Sequence, residues 1–182
     1  MQYSYEMTIP FRWLVSVALG SASSAAAQAI PFSQHGVVSQ TVGLTVITVT
    51  YNRPVARGRT LFGPAGVVKW DKVWHPGADS ATRIEFTRDL TIEGRVVPHG
   101  EYSLWLIPRE AAPWTLIVSR AARVFHEPYP GEAADFARLE VTPETGAHME
   151  TMAYYFPVVA RDSTVLRLHW GSTVVPIRIR TP

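Results

Sequence analysis

The sequence predicts an all-β protein: a single antiparallel β-sandwich domain that follows an N-terminal signal peptide. Beyond residue 30 most of the chain alternates apolar and polar residues, the period of strands with one buried and one solvated face. Turn residues recur at intervals of roughly ten, as in sandwiches and barrels. No internal repeat or heptad pattern is present. We therefore expect two packed sheets, with jelly-roll-like connectivity as one option.

Residues 1–29 have the organisation of a secretory signal peptide. Arg12 provides a positive start, Trp13 to Leu19 form an apolar run, and Ala27-Gln28-Ala29 is a small-x-small cleavage motif. The run is shorter than the about 20 apolar residues that a transmembrane helix needs. We predict export to the periplasm or the extracellular space and a mature β-sandwich domain of residues 30–182. An uncleaved amphipathic anchor or a disordered leader is the alternative.

The charge and cysteine content of the chain exclude some classes of partner and chemistry. The 17 Lys and Arg residues nearly balance 15 Asp and Glu residues, giving a formal charge of +2, and the basic residues are dispersed. Nucleic-acid binding needs clustered positive charge, so we expect no nucleic-acid partner. The chain has no cysteine, which excludes disulfides and a thiol nucleophile. Arginines on the last strand oppose open-ended strand pairing, so we expect a monomer or a closed dimer.

The alternating pattern predicts each strand in turn. Thr45, Ile47, Val49 and Tyr51 share one face of the first, and Val175, Ile177 and Ile179 share one face of the last. Glu93-Gly94 predicts a two-residue hairpin turn. A short helix is expected around Gly131–Phe136, because Pro128 and Pro130 oppose a longer one. The remaining strands are predicted at 82–87, 90–92, 95–97, 102–106, 114–118, 137–141, 149–156 and 164–170.

The segment between Tyr51 and Thr82 interrupts this regular pattern and is the predicted functional region. Arg53, Arg57 and Arg59 place three guanidinium groups within seven residues, and Gly58 permits a tight bend. Such cations repel one another unless acids intervene. One interpretation is internal pairing with Asp71, Asp79 or a neighbouring acid. The other is that an arginine binds a carboxylate, sulfate or phosphate of a ligand.

Aromatic residues accompany these arginines. Tyr51, Trp74 and Tyr102 could form a stacking platform for a sugar or a cation, whereas Trp70 and Trp105 are better explained as core residues. The turn predicted at His75-Pro76-Gly77 would present Trp74 and His75 at the edge of a sheet.

The segments ITVTYNRPVARGRTLFG, VWHPGADSAT and PHGEYSLWLIP resemble the secreted bacterial domain-of-unknown-function family 2911. The family pattern runs Y-x-R-P, G-R-x-x-F-G, V-W-R-x-G-A-N-x-A-T and G-x-Y-S-L-x-x-I-P. The chain departs from it at His75, where arginine is common, and at Asp79, where asparagine is common. The resemblance implies no activity, because none is assigned to the family. It covers Tyr51, Arg53, Pro54, Gly58, Arg59, Trp74, Gly77, Ala78, Asp79, Thr82, Gly100 and Tyr102.

Catalytic motifs are sparse. The chain has no G-x-S-x-G elbow, no glycine-rich phosphate loop and no H-E-x-x-H. We predict no cofactor and no metal, although histidines from distant strands could assemble a metal site. Paired glutamates on strands could serve a glycosidase. The most concrete catalytic arrangement uses His75 and Asp79 as acid and base, with Arg59 holding an anionic substrate.

The function favoured by the sequence is non-catalytic binding of a small polar ligand, acidic or sugar-like, by an exported domain. The ligand-binding residues would be Tyr51, Arg53, Arg57, Arg59, Trp74 and Tyr102, with His75 and Asp79 orienting hydroxyl groups. A hydrolase or isomerase that uses His75 and Asp79 is the first alternative. A structural interaction module without a small-molecule site is the second.

Overall fold

The structure is a computed structural model that describes residues 1–2 and 32–182. The predicted signal peptide, residues 1–29, therefore lies outside the described residues apart from its first two. No helix among the described residues is long and apolar enough to cross a membrane. A 3-10 helix spans Glu132–Ala134, where the short helix was predicted. The strands are β1 (Gln34–Val42), β2 (Thr45–Arg53), β3 (Arg83–Phe86), β4 (Leu90–Ile92), β5 (Arg95–Val97), β6 (Gly100–Ile107), β7 (Trp114–Ser119), β8 (Asp135–Val141), β9 (Glu144–Val159) and β10 (Ser163–Arg180).

The strands form two antiparallel sheets that pack face to face, which confirms the predicted all-β sandwich. One sheet has the order β1-β2-β3-β6-β7-β8, and the other has the order β5-β4-β10-β9. Neighbours in sequence are mostly neighbours in a sheet, as expected of hairpin connections. The chain changes sheet between β3 and β4, between β5 and β6, and between β8 and β9.

Strand β10 doubles back on itself at Gly171. If its 18 residues were extended, its ends would lie roughly 60 Å apart. Yet the N–H of Thr181 donates a hydrogen bond to the carbonyl of Asp162 at 2.8 Å. Gly171 has a φ of 57°, a left-handed conformation typical of tight hairpin turns. The two halves of β10 thus correspond to the strands predicted at 164–170 and 173–180, with Gly171-Ser172 at the tip.

Alternation along the strands places the main core between the sheets. In β2 the buried residues are Thr45, Ile47, Val49 and Tyr51, while their neighbours are more exposed. In β10 Ile177 and Ile179 are buried while Arg178 and Arg180 are exposed, as predicted. A second, smaller cluster lies on the other face of the six-stranded sheet, where Ala81, Trp105 and Ile117 are buried. The partly buried Ile107, Val124 and Tyr129 pack against it.

Strand β1 is the element that the alternation did not predict. Its burial pattern is largely exposed, because it is an edge strand that buries few side chains and carries polar residues on both faces. The hairpin turn at Glu93-Gly94 is confirmed, and both residues have positive φ values, 45° and 80°. That combination is the type I′ geometry that matches the twist of the flanking strands.

Candidate functional site

The arginine-rich segment that follows β2 lies against β9 of the other sheet. The N–H of Ala56 donates to the carbonyl of Glu150 at 2.8 Å, and the N–H of Met152 donates to the carbonyl of Pro54 at 2.9 Å. Val55 and Thr151 form an antiparallel bridge between them. The segment therefore closes one edge of the sandwich, and its side chains are positioned by backbone hydrogen bonds.

A tight turn at Arg57-Gly58 shapes this segment. Arg57 and Gly58 have φ values of 53° and 66°, and the N–H of Arg59 donates to the carbonyl of Ala56 at 3.1 Å. This is a type I′ turn. The N–H of Arg57 donates to Oε1 of Glu150 at 2.6 Å, and its guanidinium carbon lies 3.7 Å from the centroid of the exposed Phe32 ring. Arg57 thus interacts with an aromatic face.

Arg53 and Arg59 are held by main-chain carbonyls. Nε of Arg53 donates to the carbonyl of Met152 at 3.0 Å. Nε of Arg59 donates to the carbonyl of Ala56 at 2.9 Å, and its Nη2 donates to the carbonyl of Val55 at 2.7 Å. These bonds fix the plane of the Arg59 guanidinium, and neither acceptor carries a charge.

Carboxylates of the described residues do not pair with these three arginines. None lies within 4.0 Å of the guanidinium nitrogens of Arg53, Arg57 or Arg59. Asp71 instead lies 3.9 Å from Nε of Arg109, and Asp79 accepts a hydrogen bond from Asn52. Internal neutralisation by these acids is therefore not how the segment is held.

A groove of about 350 Å³ opens beside Arg59. Its apolar part includes Phe62 and Trp170, and its polar part includes an imidazole and two hydroxyl groups at the tip of the β10 hairpin. Trp170 is 2% exposed, and its Nε1–H has no hydrogen-bond partner among the described residues. We call this the Arg59 groove; its lining includes Arg59, Phe62, His148, Trp170, Ser172 and Thr173.

One acid lies close to this groove. Oε2 of Glu150 is 2.9 Å from Nε2 of His148, and Oε1 accepts the N–H of Arg57. These two hydrogen bonds, His148 first, lower the pKa of Glu150, with a smaller contribution from the charge of Arg59. Both oxygens of Glu150 are engaged by groups other than the Arg59 guanidinium.

Trp74 belongs to a cluster of rings at the end of the main core. It is half-buried, its ring is stacked on Trp170 at 6.1 Å between centroids, and Phe62 meets it edge-on at 5.6 Å. Phe62 also contacts Trp70 and Trp114. Trp74 therefore supports the wall of the Arg59 groove from behind, and its predicted stacking on a ligand stays a prediction.

The two predicted tyrosines have partners within the protein. The hydroxyl oxygen of Tyr51 accepts the N–H of Tyr154 at 3.0 Å, and the two rings meet edge-on at 4.7 Å. Tyr102 donates to the carbonyl of Pro98 at 2.9 Å and stacks on Phe86 at 5.6 Å. Burial raises the pKa of the Tyr102 hydroxyl. Neither tyrosine lines the Arg59 groove, and their role in ligand binding stays a prediction.

His75 is buried and hydrogen-bonded. Its Nε2 accepts the N–H of Thr82 at 2.6 Å, so the ring proton of the neutral imidazole lies on Nδ1. Burial, together with the nearby His126, lowers the pKa of His75 to about 3. At neutral pH the ring is uncharged and its lone pair is occupied. The acid/base role of His75 stays a prediction, and this geometry gives it no added support.

Asp79 fixes the loop that carries His75. It has a φ of 58°, a left-handed conformation in which Asn and Asp are enriched, which explains why either residue suits this position. Its carbonyl accepts hydrogen bonds from the N–H and Nδ1 of His126 at 2.9 and 2.7 Å. Its carboxylate accepts Nδ2 of Asn52 at 3.2 Å. Asp79 and His75 line one cleft of about 360 Å³, without a hydrogen bond between them among the described contacts.

The structure thus brings one predicted residue, Arg59, together with partners that the sequence reasoning did not select. His148 lies on an exposed face of β9 and had no distinguishing pattern. Ser172 and Thr173 belong to the W-G-S-T turn of β10, where a glycine between two alternating strands was the available signal. Within the described residues, no group of three or more His, Asp and Glu side chains is placed to hold a metal ion.

Comparison with known proteins agrees with the motif resemblance. A model of the family described as Protein of unknown function (DUF2911) matches residues 33–179, which is nearly all of the described domain. Neither the curated proteins nor the solved structures gave a match. Since the family match covers far more than half of the chain, this protein belongs to the DUF2911 family.

Proposed function

We propose that the protein is an exported β-sandwich domain that binds a small acidic sugar, such as a uronic acid, in the Arg59 groove. The observation that carries this proposal is the state of the Arg59 guanidinium. Two main-chain carbonyls orient it at the groove, and no carboxylate of the described residues lies within 4.0 Å of it. A cation fixed in this way is preorganised for the carboxylate of a ligand.

The remaining groups in the groove suit the rest of a sugar acid. Ser172 and Thr173 supply hydroxyls that can both donate and accept hydrogen bonds, and His148 supplies an imidazole. Phe62 supplies apolar surface for the ring of the ligand, and the almost fully buried Trp170 packs against Phe62. The volume of about 350 Å³ is at the low end of the range for small-molecule sites. A monosaccharide is thus a better match than a longer chain.

Binding without catalysis is favoured because the groove lacks an acid/base pair with suitable chemistry. The carboxylate of Glu150 already accepts hydrogen bonds from His148 and Arg57, and its pKa is lowered by them. A carboxyl group that acts as a general acid at neutral pH needs a raised pKa, the opposite of the shift at Glu150. Glu150 therefore stays ionised beside the groove and is a poor general acid.

A binding experiment tests this proposal. Isothermal titration should give a stronger affinity for glucuronate or galacturonate than for glucose, which lacks the carboxylate. Arg59→Gln should weaken uronate binding by about tenfold or more, because it removes a charged hydrogen-bonding partner. Arg95→Gln is the control, since Arg95 is exposed on β5 and does not line the groove. Equal affinity of wild type and Arg59→Gln would contradict the proposal.

Export is tested separately. If residues 1–29 are a signal peptide, the secreted protein should begin at Ile30, and mass spectrometry of the purified protein would detect that start. A protein recovered from the cytoplasm with residues 1–29 intact would contradict export while leaving the binding proposal to its own test.

A further inference from the structure

We infer that the outer face of the six-stranded sheet carries a second binding site, at Arg83, for a small hydroxycarboxylate. A cleft of about 310 Å³ lies there, and it shares no lining residue with the Arg59 groove. We call it the Arg83 cleft; its lining includes His35, Thr50, Asn52, Ser80 and Arg83.

Arg83 is half-buried and its charge is not compensated by a contact. It begins β3, and its register partners on the two sides are Thr50 of β2 and Ser103 of β6. Its guanidinium makes no hydrogen bond or ion pair with any residue in the described part of the chain. Removing a cation partly from water without a partner is unfavourable. A bound anion would supply the missing partner.

Neither acid on this sheet face pairs with Arg83. Glu85 lies two residues along β3 and has no ion-pair contact with Arg83 within 4.0 Å, and Glu101 is already engaged. Glu101 forms a bidentate ion pair with Arg123. Nη2 and Nε of Arg123 lie 2.6 and 2.8 Å from the two carboxylate oxygens of Glu101. This bidentate pair is the first cause of the lowered pKa of Glu101, and the charge of Arg83 is the last. The charge of Arg83 therefore influences Glu101 without direct contact, and the N–H donors of its guanidinium remain available to a ligand.

The wall formed by His35 and Asn52 is cross-linked by a chain of hydrogen bonds at the surface. Nδ1 of His35 is 3.2 Å from Oδ1 of Asn52, and Nδ2 of Asn52 is 3.2 Å from Oδ2 of Asp79. An amide oxygen accepts and an amide nitrogen donates, so Nδ1 of His35 must carry a proton. These contacts link β1, β2 and the loop before β3. The wall is thus preorganised, which favours binding of a small ligand.

The chemistry of the cleft selects the class of ligand. A single guanidinium matches a planar monovalent carboxylate through two parallel hydrogen bonds. Thr50 and Ser80 add hydroxyl groups that can hydrogen-bond a hydroxyl of the ligand. The nearby Asp79 carboxylate disfavours a dianion such as sulfate or phosphate. A small hydroxycarboxylate meets all three conditions.

The test uses lactate, propionate and sulfate as probes with the full domain, and amide chemical shifts as the readout. We expect lactate to shift the resonances of residues 50–52 and 80–83 and to bind more tightly than propionate or sulfate. Arg83→Gln should weaken lactate binding about tenfold or more. The matched control is Arg88→Gln, because Arg88 is an exposed arginine in the turn after β3 that does not line the cleft.

A second variant keeps the test decisive if Arg83→Gln proves unstable. Thr50→Val combined with Ser80→Ala removes both hydroxyls while Arg83 remains, so it should abolish the preference for lactate over propionate. The inference is overturned if lactate binding is unchanged in Arg83→Gln, if sulfate binds as tightly as lactate, or if the double variant keeps the preference. Because Arg59 is intact in every variant, these outcomes are distinct from failure of the proposed uronate binding.

Discussion

The N–H of Thr82 donates a 2.6 Å hydrogen bond to Nε2 of His75 and thereby ties the loop before β3 to the sheet. Thr82 also donates its hydroxyl to the carbonyl of Pro76 at 2.9 Å, and Tyr154 donates to the same carbonyl at 3.0 Å. The His75-Pro76 turn is therefore fastened from both sheets. Its consequence is a pH-dependent contribution to stability.

The free energy of unfolding should decrease as the pH is lowered, because of His75. Its pKa is about 3 in the folded protein, against about 6.5 when exposed. Between these values the unfolded chain binds more protons than the folded protein, so the free energy of unfolding decreases as pH falls through this window. The contribution of this one group is at most about 1.4 kcal/mol per pH unit. His126, whose ring stacks on His75 at 5.9 Å, is the second cause of this lowered pKa after burial.

Urea unfolding at several pH values between 4 and 8 measures this slope. His75→Gln is the informative variant, since its side-chain oxygen can accept the Thr82 N–H but does not titrate. We expect the variant to lose less stability on acidification than the wild type. Identical slopes would show that His75 does not remain neutral in the folded state.

Gly77→Ala should destabilise the same turn. A Cβ at Gly77 would lie 2.5 Å from Oγ1 of Thr82 and 2.7 Å from Cε1 of His75, both in a buried hydrogen-bonded unit. We expect a loss of about 1–3 kcal/mol in the free energy of unfolding, typical of overpacking. Gly94→Ala has no neighbour within 4 Å, and its cost should be limited to the positive φ, about 1 kcal/mol. A smaller loss at Gly77 than at Gly94 would contradict this packing.

Tyr51→Phe should destabilise the core. The substitution leaves the buried N–H of Tyr154 without its acceptor, which costs about 1–3 kcal/mol. Tyr102→Phe should lower the free energy of unfolding by less. The carbonyl of Pro98, which loses its hydrogen bond from Tyr102, belongs to an exposed residue and can bind water instead. Thermal or urea unfolding of both variants checks the order. Wild-type stability of Tyr51→Phe would mean that this hydrogen bond contributes nothing.

Arg57→Asn should stabilise the turn that precedes Arg59. Arg57 has a φ of 53° and precedes Gly58, and Asn-Gly is the preferred pair for a type I′ turn. We expect a gain of roughly 0.5 kcal/mol, reduced by loss of the exposed contact with Phe32. The comparison is Glu93→Asn in the other type I′ turn. That variant should destabilise, because the Glu93 carboxylate accepts the N–H of Arg178 at 2.6 Å. A melting temperature of Arg57→Asn below that of the wild type would contradict the expectation.

The fold was largely predictable because alternation is a local signal that repeats over many residues. Ile47, Val49, Ile177 and Ile179 face the core as their spacing predicts. The edge strand β1 was missed because its sequence carries polar residues on both faces, so its apolar residues do not alternate although its burial does. The two halves of β10 were predicted as two separate strands, because Gly171-Ser172 interrupts the alternating pattern between them.

The candidate site was less predictable because it depends on which residues meet across the two sheets. Local density of arginine selected Arg53, Arg57 and Arg59, but the carbonyls that orient them belong partly to β9. Arg83 shows the limit of this reasoning. It lies within a regular strand, so nothing local distinguishes it, and Glu101 on the neighbouring strand pairs with Arg123 instead of with Arg83.

The most direct test of the central claim is a nuclear magnetic resonance titration with glucuronate that follows the indole Nε1–H of Trp170 and the amides of Ser172 and Thr173. These groups lie in or beside the Arg59 groove. We predict saturable shifts of these resonances in the wild type and in Arg95→Gln, and their loss in Arg59→Gln at the same glucuronate concentration. Unchanged resonances in the wild type up to high millimolar glucuronate would contradict the claim that this groove binds an acidic sugar.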